Sequence, residues 1–279
     1  MNTSSILLVL VAAASTASAQ TLSSASLSNG DVTIYRESSP GILTIDPSAP
    51  LLTVLQGTTN AAGGNIELFT SSDGLAPLPF ASASPTVLTA GFSNGQSVTV
   101  SGLNGQDWFL DSSNVYNTAY GADNLANTWF GDFLAAMINQ GNAFASGLIN
   151  GNEALLYGSF LANNGFAQSS DPNVSFIEVD SSIVNVGLGG FLDATPAVAS
   201  LLNVSEAQLA FAFPGGIQLS EVAKVNGEVV YSFEGEDSGV VLDDGVDSYS
   251  ATYLVTVPEP SSSVLLLVTG IGFLARRKR

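Results

Sequence analysis

The chain has 279 residues and a formal net charge of −18, with no cysteine and no histidine. The two absences exclude disulfide stapling, histidine-held zinc, and the Ser-His-Asp and Cys-His nucleophile arrangements. The acidity argues against nucleic acid as a partner, because like charge repels phosphate and anionic lipid alike.

At the start, an apolar segment from Ile6 to Ala14 is followed by small residues and by Ala17-Ser18-Ala19. That is the A-x-A pattern cut by signal peptidase, so residues 1–19 read as a signal peptide and Gln20 as the mature start. One feature departs from the pattern: no Lys or Arg precedes the apolar segment. Between Gln20 and Val257 lie 23 acidic residues against only Arg36 and Lys224, a net of −21. With 46% hydrophobic residues and no disulfides, this exported stretch must be held by burial.

The first hundred mature residues read as strands. Asp31 to Tyr35, Ile42 to Ile45, Leu51 to Leu55, Asn65 to Thr70 and Gln96 to Ser101 are short β-branched or alternating runs. Turn residues separate them at the spacing of an antiparallel sandwich or barrel. Leu75 to Pro85, rich in Pro, Ala and Ser, reads as a surface loop. The period then changes. Leu125, Trp129, Phe130, Phe133, Leu134, Met137 and Ile138 share a helical face, with Asp123 or Asn124 to cap it and Gly141 to end it. A second helix is predicted over Glu153 to Ala162, carrying Leu155, Leu156, Tyr157, Phe160 and Leu161 as core.

Strands return at Val174 to Val179 and Ile183 to Leu188, a hairpin about Asp180-Ser181-Ser182. Thr195-Pro196 reads as an N-cap and first helical residue, and Ser205-x-x-Gln208 as a capping box. Val222 to Tyr231 is a hairpin on the Asn226-Gly227 turn, and Ser250 to Val257 the last strand. The fold class expected is mainly β: an antiparallel β-sandwich-like ectodomain over residues 20–257 in one unit, with a helical insertion near 123–162. An α+β arrangement is the alternative.

After that strand come Val257-Pro258-Glu259-Pro260, an apolar run from Val264 to Ala275, and Arg276-Arg277-Lys278-Arg279. Twelve apolar residues fall short of the roughly 20 that span a bilayer comfortably. Four terminal cations resist translocation, and the prolines favour an extended, grippable segment. This tail, residues 258–279, resembles the PEP-CTERM sorting signal of bacterial surface proteins. The resemblance implies export, a transient stay in the inner membrane, and processing by a membrane-embedded exosortase. It also implies delivery to the cell surface or matrix, with exopolysaccharide as an associate. Ser170 to Phe176, Val186 to Gly190, Asp107-Trp108-Phe109 and Glu221 to Val225 are similar to segments of one group of PEP-CTERM ectodomains. That similarity covers about residues 90–279, implies a single unit, and carries no activity.

Candidate chemistry is sparse. Gly91-Phe92-Ser93-Asn94-Gly95 matches the G-x-S-x-G elbow but has no histidine to serve it. Lys224 is expected to share a face with Val222, Val229, Tyr231 and Phe233 and to pair with a carboxylate. A glycan hydrolase would need two acids in a cleft lined by Trp108 or Trp129, with Asp107 and Asp132 the acids nearest those rings. Glu234, Glu236, Asp237, Asp243, Asp244 and Asp247 crowd fourteen residues and are the candidate Ca²⁺ ligands; a solvated acidic loop is the plainer reading. The function expected is therefore structural or adhesive, without catalysis or a resident cofactor. A calcium-dependent carbohydrate-binding module and a carboxylate-based hydrolase are the alternatives.

Overall fold

A computed structural model of the chain describes residues 20–28, 30–70, 80–180, 183–244 and 248–258. Ala17 and Ala19, residues 75–79 of the predicted loop, Ser181 and Ser182, Asp247, and the tail from Glu259 through Arg279 lie outside the described residues.

Strands β1 (Leu22–Ser28), β2 (Val32–Ser39) and β3 (Ile42–Ile45) lead into the short helix α1 (Leu51–Val54). Strands β4 (Gly64–Leu68), β5 (Val87–Phe92) and β6 (Ser97–Ser101) follow. A helical block comes next: α2 (Gly105–Phe109), α3 (Leu125–Gln140), α4 (Ala143–Ile149), α5 (Glu153–Ala162) and α6 (Gly165–Gln168). The hairpin β7 (Asn173–Asp180) and β8 (Ile183–Phe191) precedes α7 (Thr195–Leu202) and α8 (Glu206–Ala212). Short strands β9 (Leu219–Ser220), β10 (Ala223–Val225), β11 (Glu228–Val230), β12 (Glu236–Asp237) and β13 (Val241–Leu242) lead to β14 (Ala251–Pro258).

The strands form two sheets, ordered β1-β5-β6-β10-β11 and β12-β14-β8-β7-β4-β2-β3-β13, with β9 added on β8. All these pairings are antiparallel except β3 with β13, which is parallel. The larger sheet cannot be flat. Its end strands β12 and β13 are joined by only three residues, which reach about 14 Å, whereas seven strand spacings of about 4.8 Å would separate flat edges by about 34 Å. It therefore curls. Ser238 bridges the gap, donating its N–H to the carbonyl of Ser250 and accepting from the N–H of Ala62.

Alternation along the strands sorts the side chains. Ile66, Leu68, Val174, Val186, Leu188 and Tyr253 of the larger sheet meet Leu88, Ala90, Val98, Val100 and Val225 of the smaller one in a shared core. The opposite face of the larger sheet carries Tyr35, Leu43, Ala62, Val240 and Tyr249 as a small separate cluster. The helices bury a third, aromatic-rich core. In it Trp129 stacks on Phe133 at 5.5 Å and meets Trp108 edge-on at 5.5 Å. None of the helices among the described residues is long and apolar enough to cross a membrane.

Local signals place most elements. Asn124 caps α3 by accepting from the N–H of Asn127, and the helix stops at Gly141. Asn226 and Gly227 take φ of 52° and 85°, as the tight β10–β11 turn requires. Several expectations are corrected. Leu51 to Leu55 is not a strand but α1: Pro50 opens the turn and its carbonyl accepts from Thr53, and a run this short has no decisive period. Thr195 is the first helical residue and Ala194 the N-cap, one position earlier than expected. Ser205 stands at the N-cap of α8, but its side chain makes no capping bond. Leu155 is 69% exposed, because Leu156, Tyr157 and Phe160 already fill the buried stripe of α5. The helical part also exceeds the insertion predicted at 123–162: α2 and α6 lie outside it and, with the expected α7 and α8, share its core.

Candidate functional site

The larger sheet turns one unusually polar face toward α7. Glu67 lies between Ile66 and Leu68 on β4, so strand alternation points it away from the shared core. The Tyr35 hydroxyl donates to its Oε2 at 3.0 Å. Asp171, in the turn between α6 and β7, is buried and accepts the N–H of Thr70 on Oδ1 at 2.6 Å. Glu221, between β9 and β10, accepts both the N–H and the Nδ2 of Asn173 on Oε2, at 2.7 and 2.9 Å. Gly189 makes this convergence sterically feasible: a Cβ there would lie 3.1 Å from Asn173 Cβ, 3.3 Å from Asn65 Oδ1 and 3.4 Å from the Tyr249 ring.

Glu67, Asp171 and Glu221 line one cavity of about 560 Å³ together with Tyr249. Its other wall is apolar, formed by Phe191 and Leu219 and by Val198 and Leu201 of α7. Glu221 is a half-buried residue of the cavity lining. Burial therefore raises its pKa well above the usual carboxylate range; the hydrogen bonds from Asn173 oppose this, and the charges of Glu67 and Asp171 add to it. Burial likewise lifts the Tyr35 hydroxyl to about 12, and Tyr249 rises through burial and then the nearby Glu67 and Glu221. Asn173 is wholly buried behind Glu221, and its Oδ1 has no hydrogen-bond partner.

The predicted site residues fall elsewhere. Trp108 and Trp129 are fully buried, so neither ring is available to stack on a sugar. Trp108 instead donates its Nε1 to Ser170 Oγ at 2.7 Å. Asp107 closes a capping box with Asn104 at the start of α2 and forms an ion pair with Lys224, the carboxylate pairing expected for that lysine. Asp132 accepts from the Tyr231 hydroxyl at 2.7 Å in a second groove, whose lining includes Glu234. Gly91 to Gly95 lies in the β5–β6 hairpin, with Gly95 donating to Phe92, and is no strand-to-helix elbow.

The acidic stretch is divided. Glu236 and Asp237 lie on β12 beside β14, while Asp243 and Asp244 follow β13 at the other edge of the ladder. Asp237 accepts from the N–H of Gly239, and Asp244 from the Ser248 hydroxyl. Among the described residues no three acidic side chains are set to share a metal ion. Of the sorting motif, Val257 and Pro258 form the end of β14, opposite Val184 and Ile183. Gln20 bridges Val179 next to that end, so Gln20 and Pro258 lie at one pole of the described residues.

Glu67, Asp171, Glu221 and Tyr249 were not singled out as chemistry. Asp171 lies in the segment Ser170 to Phe176 and Glu221 in Glu221 to Val225. Those segments do meet, through Trp108 with Ser170, Val222 with Ser169, Asn173 with Glu221, and Lys224 with Asp107. No family model, curated protein or solved structure matches this chain.

Proposed function

We propose that the chain is an exported surface or extracellular-matrix protein, a β-sandwich-like ectodomain with a helical layer, delivered by its C-terminal sorting tail. Signal peptidase removes residues 1–19, and exosortase acts at the Val257-Pro258-Glu259-Pro260 motif once the apolar run and Arg276 to Arg279 hold it in the inner membrane. The role is structural or adhesive, in association with exopolysaccharide, rather than catalytic.

The supporting observation is the path of β14. It stays paired with β8 through Pro258, so the folded body runs directly into the motif without a stalk. Proline suits this end, where β12 no longer covers the other side of the strand and no donor is needed there. The test is processing of the full chain in cells that carry an exosortase. Pro258→Ala and Glu259→Ala are expected to leave unprocessed protein in the inner membrane; normal release of both refutes the sorting assignment.

A further inference from the structure

We propose that β1 is a self-pairing edge: two copies of this chain join by antiparallel pairing of Ser24 to Ser28 about a two-fold axis at Ser26. This goes beyond the sorting assignment and does not depend on it.

Backbone groups come first. Within the β5–β6 hairpin the N–H of Phe92 donates to the carbonyl of Gln96, which makes those two a hydrogen-bonded pair. Alternation then turns Leu88, Ala90 and Phe92 toward β6, and Val87, Thr89 and Gly91 toward β1. The partners of the latter three are Ser28, Ser26 and Ser24, whose side chains are exposed. The N–H and carbonyl groups of Ala25 and Leu27 therefore point off the sheet. Among the described residues no strand lies there and no backbone group meets them. A row of open donors and acceptors is a template for another strand.

The other edges are guarded. β11 is three residues long and carries Glu228, β12 is Glu236–Asp237, and the two-residue β13 is followed by Asp243. β1 has seven residues, with neither charge nor proline, and its neighbours β5 and β6 are uncharged as well. The stretch from Gln20 to Val257 holds 23 acids against two cations, so copies repel one another over most of their surface. The β1 edge is where they can approach.

The sequence of β1 selects a second copy as the occupant. The bulge falls between Leu22 and Ser24, and the ladder is regular from there on. Ser24-Ala25-Ser26-Leu27-Ser28 alternates identically in both directions. Pairing about Ser26 sets Ala25 of each copy opposite Leu27 of the other, and these are the residues whose backbone groups are open. Small meets large on the core side, and serine meets serine on the outer face. A slip of one residue would turn serines onto the core side. The contact is isologous, so it closes at two copies. It is also short, at the small end of specific interfaces, and the dimer is expected to be weak.

The chain has no cysteine, so an introduced thiol reports on its own position alone. At the two-fold axis Ser26 faces its copy as a non-hydrogen-bonded pair with Cα atoms about 4.5 Å apart, within reach of a disulfide. The test is oxidation of the full chain, purified in detergent, carrying Ser26→Cys. Ser97→Cys, on the exposed outer face of β6, is the control for chance encounters. Ser26→Cys is expected to give the disulfide dimer at least tenfold faster. Sedimentation of cysteine-free variants supplies a second arm. Ser26→Asp sets like charges against each other at the axis and should weaken dimerisation at least tenfold. Ser97→Asp adds the same charge away from the edge and should leave it unchanged, with thermal unfolding cooperative in both. Equal rates for the two thiols, or monomers of the unsubstituted chain at every concentration, overturn self-pairing. A dimer that Ser26→Asp leaves intact, or that Ser97→Asp weakens as much, overturns its place on β1.

Discussion

Two sets of acids in this molecule behave in opposite ways. Six carboxylates crowd the fourteen residues from Glu234 to Asp247, yet the fold sends the described ones to different edges of a curled sheet. Glu67, Asp171 and Glu221 are spread over more than 150 residues, yet they share one cavity. The difference lies in what each stretch pairs with. Short strands β12 and β13 meet across a three-residue strap, but their acids turn to separate local partners, Asp237 to the N–H of Gly239 and Asp244 to the Ser248 hydroxyl. By contrast β4 and β7 are neighbours in the ladder, and Asn173 reaches across to Glu221. Density along a chain is therefore a poor guide to density in space. The environments differ too: a solvated carboxylate keeps its water, whereas Glu221 gives most of it up and binds its proton more firmly as a result.

The comparison can be broken by disturbing what gathers the cavity acids. Gly102 has the strictest requirement: a Cβ there would lie 2.2 Å from the carbonyl of Ser170 and 2.3 Å from Thr70 Oγ1, beside the Thr70–Asp171 contact. The obstacle is backbone, which yields poorly. Gly102→Ala is expected to lose about 3 kcal/mol, read from denaturant midpoints. Asp171→Ala ranks next. It leaves the buried N–H of Thr70 without its acceptor, for an expected loss of about 2 kcal/mol. Values near zero for both would mean that the cavity wall is not held as described.

Much of the scaffold was legible beforehand, and the reason is locality. Asn124, Gly141 and the apolar stripe of α3 act within a few turns, and Asn226-Gly227 sets its hairpin within four residues. Leu51 to Leu55 reads as a strand but forms α1 because a run this short carries no period, and Pro50 alone hints at a helix. β1 escaped notice because its serines dilute the apolar alternation. The cavity was not legible for a different reason. Ile66-Glu67-Leu68 reads as an ordinary half-exposed strand, and nothing local says that the glutamate's side will be roofed by α7. That depends on the curl of the sheet and on pairings a hundred residues apart.

Glu221 sharpens the comparison through pH. Its folded pKa lies above its unfolded one, so the native state retains a proton that the unfolded chain gives up. Stability is then fully present below the unfolded value and falls as pH rises toward the folded one. Glu221→Gln keeps an acceptor for Asn173 and removes the titration. The variant should gain on the wild type as pH rises above the ordinary carboxylate value, with Glu67, Asp171 and Tyr249 as the groups facing the site in both proteins. Midpoints that run parallel across that range would show that Glu221 is not desolvated.

The smallest effect belongs to the acidic stretch. Asp243 is exposed just past β13, where water satisfies its carboxylate whether the chain is folded or not. Asp243→Asn is expected to change stability by no more than about 0.5 kcal/mol. A chelator should leave the melting temperature of the full chain unchanged, since a cation bound only to the native state would otherwise raise it. A chelator-sensitive melting temperature that disappears in Asp243→Asn would reverse the contrast, because the crowded acids would then be acting together after all. Asp237 is already turned to the N–H of Gly239 and Asp244 to the Ser248 hydroxyl, which is the physical reason to expect otherwise.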